Sequence, residues 1–122
     1  MAYTTIDDPS LYFNTVLYSG ANKTVSGVGF QPDFVWIKER DAAAHVLFDA
    51  VRGATKLLES IGTGAEATVS DSLTAFASDG FTLGSDSSNY VGGSSTSVVS
   101  WNWLAGTSFT NDASGTGIGS ID

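Results

Sequence analysis

The chain has 122 residues, the length of one domain with a single hydrophobic core. Its 13 acidic and 5 basic residues give a formal net charge of −8, and a surface of this sign repels nucleic-acid phosphates and anionic lipid. The absence of cysteine excludes disulfides and thiolate chemistry, and no apolar run is long enough to cross a bilayer. We therefore expect no nucleic-acid partner and no membrane insertion.

The first half of the chain predicts short strands separated by turns. Residues 1–12 form a polar lead-in, residues 13–19 a strand, and residues 24–26 a segment that pairs back after it. The strongest strand signal covers residues 33–39, where both faces begin with apolar side chains. Such a strand is expected to be central in its sheet and covered on both sides near its start. Its alternating faces carry Phe34, Trp36 and Lys38 on one side and Val35, Ile37 and Glu39 on the other.

The middle of the chain predicts one more strand and one short helical turn. Residues 45–52 alternate as a strand that stops at Gly53. Residues 54–61 are expected to form the helical turn, because Leu57, Leu58 and Ile61 have the spacing of a small amphipathic patch.

The last third of the chain predicts a hairpin, a loop and a final strand. Residues 73–83 contain Ser-Asp-Gly between two apolar alternations, which is a strong hairpin signal because glycine tolerates the positive φ of such turns. Residues 84–95 are a long polar loop, and residues 96–104 are the final strand. From residue 106 the chain is rich in Gly, Ser, Thr and Asn without apolar periodicity.

This succession of short strands and polar turns predicts an all-β fold with little or no helix. Six to eight strands of this kind are typical of an antiparallel β-sandwich of jelly-roll-like form. We expect the sandwich domain to span residues 13–105. Residues 106–122 are expected to be a flexible linker or the start of a further module.

The tryptophans are the main candidates for a binding site. Trp101 and Trp103 lie two residues apart, so they share one face of the last predicted strand with Val99. Two interpretations stay open: these rings fill the core between the two sheets, or they join Trp36 and Tyr90 as a platform on which sugar rings stack. The apolar neighbour Val99 favours the core.

The remaining polar candidates have structural interpretations. His45 and Asp49 fall on one face of a predicted strand. Acyl transfer would also require a nucleophile, and no nucleophile motif accompanies them. Asp49 and Arg52 are expected to act as ions that tether the strand end. Asp79 and residues 86–89 supply oxygen ligands, but their spacing departs from that of an EF-hand. The sequence thus predicts no catalytic, cofactor-binding or metal-binding residue.

Four blocks of sequence carry a resemblance to a known family. They are Gly-Val-Gly-Phe-Gln-Pro-Asp-Phe-Val-Trp-Ile-Lys at residues 27–38, His-Val-Leu-Phe-Asp-Ala-Val-Arg-Gly-Ala-Thr-Lys at 45–56, Ser-Asp-Gly-Phe-Thr-Leu-Gly-Ser at 78–85 and Trp-Asn-Trp-Leu-Ala-Gly at 101–106. In this order they resemble an uncharacterised β-rich domain that recurs in structural proteins of tailed, mostly marine, bacteriophages. The resemblance covers about residues 13 to 106.

The resemblance implies a virion protein on the tail or capsid surface and brings no catalytic residues, so we do not expect an enzyme. The leading hypothesis is the particle-proximal module of a tail fibre or similar appendage, which acts in assembly and host attachment. Its partners would be other virion proteins and further copies of itself, a homotrimer by analogy with fibres. One alternative is a capsid decoration (cement) protein. The other is a glycan-binding module that contacts a host surface glycan through Trp36, Tyr90, Trp101 and Trp103.

Overall fold

The computed structural model describes residues 7–41, 45–93 and 97–106. These residues form nine strands, preceded by one turn of 3₁₀ helix at Pro9–Leu11. The strands are β1 (Phe13–Ser19), β2 (Thr24–Val25), β3 (Phe34–Glu39), β4 (His45–Asp49), β5 (Lys56–Glu59), β6 (Ala67–Thr68), β7 (Leu73–Ala77), β8 (Gly80–Leu83) and β9 (Ser97–Trp103).

The strands form two antiparallel sheets. A six-stranded sheet has the order β1-β9-β3-β4-β5-β6, and a three-stranded sheet has the order β2-β8-β7. The predicted all-β antiparallel sandwich is confirmed. The described residues include no helix that is long and apolar enough to cross a membrane. The last strand, β9, lies between β1 and β3, so the first and last strands of the domain are neighbours at one edge of the larger sheet.

The core lies between the two sheets and is built from aliphatic side chains and two phenylalanines. Phe48 on β4 and Phe81 on β8 are both fully buried, one from each sheet. Burying a side chain of this size stabilises the fold by about 1.5–3 kcal/mol. The cluster comprises Val25, Val35, Ile37, Val46, Phe48, Leu57, Leu73, Phe81, Leu83, Val91 and Val98.

The core-facing side of β9 is polar beyond Val98. Ser100 and Asn102 are fully buried there. The Asn102 amide Nδ2 donates to the carbonyl of Asn14 at 3.1 Å, and Ser100 Oγ donates to the carbonyl of Val16 at 3.4 Å. These side chains therefore bond β9 to β1 rather than fill the space between the sheets, and the intervening residues of β9 point to the opposite face.

The hairpin expected within residues 73–83 is confirmed as β7 and β8. Gly80 opens β8 with φ +150, and a Cβ atom there would come within 2.0 Å of the carbonyl oxygen of Val25. Glycine is thus required at this position for the close approach of β2 as well as for the turn. Asp79, in the same turn, accepts hydrogen bonds from the backbone N–H groups of Gly27 and Gly29.

Two local predictions are wrong. Residues 54–61 contain strand β5 instead of a helical turn: Leu57 enters the core, while Leu58 pairs with Leu47 of β4. Residues 24–26 do not pair with β1, because β2 pairs with β8 in the other sheet. Both errors concern short segments whose conformation is decided by a distant strand. The predicted linker lies outside the described residues from residue 107 onward.

Candidate functional site: the outer face of the six-stranded sheet

The face of the six-stranded sheet turned away from the three-stranded sheet is here called the outer face. No described strand covers it. The register of β1, β9, β3 and β4 arranges its side chains in four rows. The rows are Phe13, Trp103, Phe34 and Asp49; then Thr15, Trp101, Trp36 and Leu47; then Leu17, Val99, Lys38 and His45; and finally Ser19, Ser97 and Arg40.

All three tryptophans of the chain lie on this outer face. The preference for burial of Trp101 and Trp103 between the sheets is therefore wrong. The expected central position of β3 is confirmed, but none of the described strands covers its outer face. The physical reason is that Ser100 and Asn102 use the inner positions of β9 for hydrogen bonds to β1. Trp36, Trp101 and Trp103 are half-buried by their neighbours, and none of them belongs to the core cluster.

The indole rings form an aromatic cluster with an open hollow. The ring centroids of Trp36 and Trp101 are 5.7 Å apart at an interplanar angle of 64°. Trp103 contacts Phe13 at 4.9 Å on one side and Phe34 at 5.2 Å on the other. These separations are typical of favourable aromatic pairs. The three indoles line a hollow of about 250 Å³ that opens to solvent.

His45 fixes the orientation of one indole. Trp36 Nε1 donates a hydrogen bond to His45 Nδ1 at 3.1 Å, and the two rings are 5.8 Å apart. His45 Nδ1 must therefore accept, which places the imidazole proton of the neutral ring on Nε2. The sequence analysis considered His45 only as a partner of Asp49 and did not predict its hydrogen bond with Trp36. The short connection from β3 to β4, which sets His45 opposite Lys38 and diagonal to Trp36, is the signal that could have revealed it.

Tyr90 is not brought to the tryptophans. It is half-buried and packs against the core cluster. Its backbone N–H donates to Asp86 Oδ1 at 2.8 Å in the loop after β8. The structure therefore unites three of the four predicted glycan-contact residues, and Tyr90 has a structural position instead.

An open groove of about 520 Å³ adjoins the tryptophans on the same face. Its apolar floor includes Leu17, which is 79% exposed, and Val99. Its rim carries two cations and two hydroxyl groups, which belong to Lys38, Arg40, Ser19 and Ser97. Sequence reasoning missed this groove, because its residues come from three strands that are distant in the chain.

Asp49 and Arg52 form the structural tether that was expected. Strand β4 ends at Asp49 and the chain turns, so the backbone N–H and the Nε of Arg52 both donate to the Asp49 carboxylate. Arg52 Nη1 also donates to Glu66 at 3.2 Å. Partial burial alone would raise the pKa of Asp49, but these hydrogen bonds and the guanidinium charge hold it below its ordinary value.

The loop carboxylates considered as calcium ligands bind the backbone instead. Asp86 is 3% exposed and accepts from the backbone N–H groups of Tyr90, Val91 and Gly93. Asp79 lies in the β7–β8 turn, where the N–H groups of two glycines lower the pKa of its carboxyl. Within the part of the chain that the structure describes, no three His, Cys, Asp or Glu side chains are grouped to hold a metal ion.

The fold and the outer face define an all-β domain with an exposed aromatic surface. The model of the family described as a domain of unknown function (DUF7483) matches residues 8–121. The chain belongs to this family. No curated protein and no solved structure matches the chain.

Proposed function

We propose that this domain is a non-enzymatic glycan-binding module of a bacteriophage virion appendage, which contacts host surface saccharides through the outer face. The observation that supports this proposal most strongly is the hollow lined by Trp36, Trp101 and Trp103 on the solvent side of the sheet. The C–H faces of sugar rings pack flat against indole rings. A small number of aromatic side chains beside a few polar groups is a common composition of small-ligand sites.

The surroundings of the tryptophans suit this role. The rings stand on adjacent central strands, which hold a binding surface more rigidly than loops do. The bond from Trp36 to His45 keeps one indole in a fixed orientation before any ligand arrives. Thr15 lies in the same row as Trp101 and Trp36 and offers a hydroxyl group to sugar hydroxyls. The virion location is supported by the sequence resemblance to phage structural proteins.

Replacing Trp36 or Trp101 by alanine is expected to weaken binding to a glycan selected from an array of host-type saccharides by at least about tenfold. Such a loss corresponds to about 1.4 kcal/mol and matches the removal of one stacking surface. Titration calorimetry would measure the affinity. The matched control is Ile61→Ala, which also removes an exposed apolar side chain, from a position after β5. If the two tryptophan variants bind as well as the control does, the tryptophans are not the site.

A second candidate function is assembly, in which the outer face packs on a neighbouring virion protein or on another copy of the chain. The composition of the face favours it, because aromatic and aliphatic residues dominate and protein interfaces are enriched in such residues at their centres. This role would suit a fibre scaffold or a capsid decoration protein. The apolar members of the face are Phe13, Leu17, Phe34, Trp36, Leu47, Leu58, Val99, Trp101 and Trp103.

Light scattering coupled to size-exclusion chromatography separates glycan binding from assembly of the chain with its own copies. If the outer face packs on another copy of the chain, the wild-type chain forms oligomers and Trp101→Glu converts them to folded monomers. If it is a glycan site, Trp101→Glu abolishes saccharide binding and leaves the mass in solution unchanged. A homotrimer that survives Trp101→Glu would be held together by another surface and would leave the outer face free for a ligand.

A further inference from the structure

We infer that the ligand of this face is an acidic saccharide, which places its carboxylate or sulfate group at Lys38 and Arg40 and a sugar ring against Trp36 and Trp101. This inference rests on the proposed glycan-binding function and adds the chemical class of the ligand. It is carried by the groove that continues the aromatic cluster toward Arg40.

The five basic residues of the chain divide into two groups. Arg52 and Lys56 lie near the start of β5, and both reach the carboxylate of Glu66, at 3.2 and 3.9 Å. Of the other three, Lys38 and Arg40 line the groove, and Lys23 contacts Ser19 and Tyr18. The chain has 13 acidic residues, so most of its surface repels an anion. The groove attracts one, because Lys38 and Arg40 both line it.

Lys23 is held beside the groove by two residues that line it. Its ammonium group donates a hydrogen bond to the carbonyl of Ser19 and lies 5.8 Å from the ring centroid of Tyr18. Lys23 therefore adds positive charge beside Tyr18, at the β1 end of the groove.

The buried carboxylates near this end of the sheet lie on its inner side. Glu39 follows Lys38 in β3, so it points into the sandwich, where it is 1% exposed and accepts from the Asn89 amide at 3.0 Å. Asp86 is also buried and is bonded to loop backbone. Both carboxylates act on Tyr18, which packs against the core and also lines the groove, whereas Lys38 and Arg40 line the groove from the outer face.

Arg40 is suited to bind the acidic group. Its backbone N–H donates to the carbonyl of Ser97 at 2.8 Å, which fixes the position of the residue in the fourth row of the face. Its side chain is exposed, and the ion pairs among the described residues involve Arg52 and Lys56 instead. A guanidinium group binds a carboxylate or sulfate through two parallel N–H···O bonds, which are about twice as strong as neutral hydrogen bonds.

The remaining surfaces of the groove match the body of a sugar. Leu17 and Val99 present an apolar floor for ring C–H groups, and the hydroxyls of Ser19 and Ser97 can exchange hydrogen bonds with sugar hydroxyls. Successive residues of β3 on one face are about 6.8 Å apart, so each row along the face accommodates about one ring of an extended saccharide. The volume of about 520 Å³ lies within the range of small-ligand sites.

The experiment titrates the wild-type chain with three probes of six units each. They are the galacturonate hexamer, maltohexaose and hexaglutamate. We expect the acidic hexasaccharide to bind at least about tenfold more tightly than the neutral one in low salt, and this preference to shrink as salt screens the cations. Arg40→Gln is expected to lower its affinity about tenfold and to leave binding of maltohexaose unchanged. The control Lys56→Gln removes one positive charge outside the groove and is expected to change affinity less than about twofold.

Each result has a distinct meaning once the thermal melts of both variants match the wild type. Equal binding of the two hexasaccharides would overturn the acidic class of ligand and leave the glycan-binding function standing. Failure of both saccharides to bind would overturn the function as well. Hexaglutamate binding as tightly as the uronate would show that the cations hold an acidic peptide, and the assignment to a saccharide would be wrong. An Arg40→Gln variant with wild-type affinity for the uronate would also overturn the inference.

Discussion

Replacing Phe81 by alanine is expected to lower the free energy of unfolding by about 3–5 kcal/mol. Phe81 is fully buried, comes from the three-stranded sheet and contacts the ring of Tyr18 at a centroid distance of 6.1 Å. Removing the ring leaves a cavity between the sheets, which the short strands of the small sheet are poorly able to close. Equilibrium unfolding in urea, followed by far-ultraviolet circular dichroism, would measure the loss.

The matched variant is Trp101→Ala, which removes a larger ring from the outer face. We expect it to cost only about 1–2 kcal/mol, because Trp101 is half-buried and its loss exposes neighbours that already contact solvent. This contrast is the signature of a sheet whose largest side chains lie outside the core. Equal costs for Phe81→Ala and Trp101→Ala would contradict the assignment of the tryptophans to the outer face.

Replacing Asp86 by alanine is expected to destabilise the fold by at least about 3 kcal/mol. Its two carboxylate oxygens accept from the N–H groups of Tyr90 and Val91 at 2.8 Å and of Gly93 at 3.0 Å. Alanine leaves these three donors without their partner, and each buried unpaired N–H costs about 1–3 kcal/mol. The same loop carries the fully buried Val91, so disorder of the loop would also disturb the core. Urea unfolding would measure this effect as well.

The conservative variant Asp86→Asn separates the hydrogen bonds from the volume of the side chain. Its amide oxygen can still accept a hydrogen bond, but its NH₂ group cannot. We therefore expect the free energy of unfolding of Asp86→Asn to lie between those of the wild type and Asp86→Ala. An alanine variant as stable as the wild type would show that these N–H groups find other acceptors, and that Asp86 does not organise the loop.

The parts of the fold that were predictable from sequence depend on neighbours along the chain. The alternation of residues 33–39 correctly placed Val35 and Ile37 on one face and Phe34 and Trp36 on the other. The Asp79-Gly80 turn predicted the β7–β8 hairpin for the same reason. By contrast, leucines at positions 57 and 58 fit a helical turn as well as a strand, and only pairing with β4 decides between them.

The candidate site was less predictable, because it depends on which face of β9 turns inward. Ser100 and Asn102 have the polarity of surface residues, yet they are buried because β1 supplies carbonyl acceptors for both side chains. That partnership joins residues 84 and 88 positions apart, which no local pattern reveals. The meeting of Lys38 and Arg40 with Leu17 depends on the same long-range register.

Tryptophan fluorescence gives the most direct test that the indoles are an accessible ligand surface, because all three tryptophans of the chain lie on the outer face. We expect acrylamide to quench the emission of the native protein efficiently, and a saturating acidic hexasaccharide to protect it from quenching. Emission that resists acrylamide until the protein is unfolded in urea, with no response to any saccharide, would show that the rings are packed away from solvent.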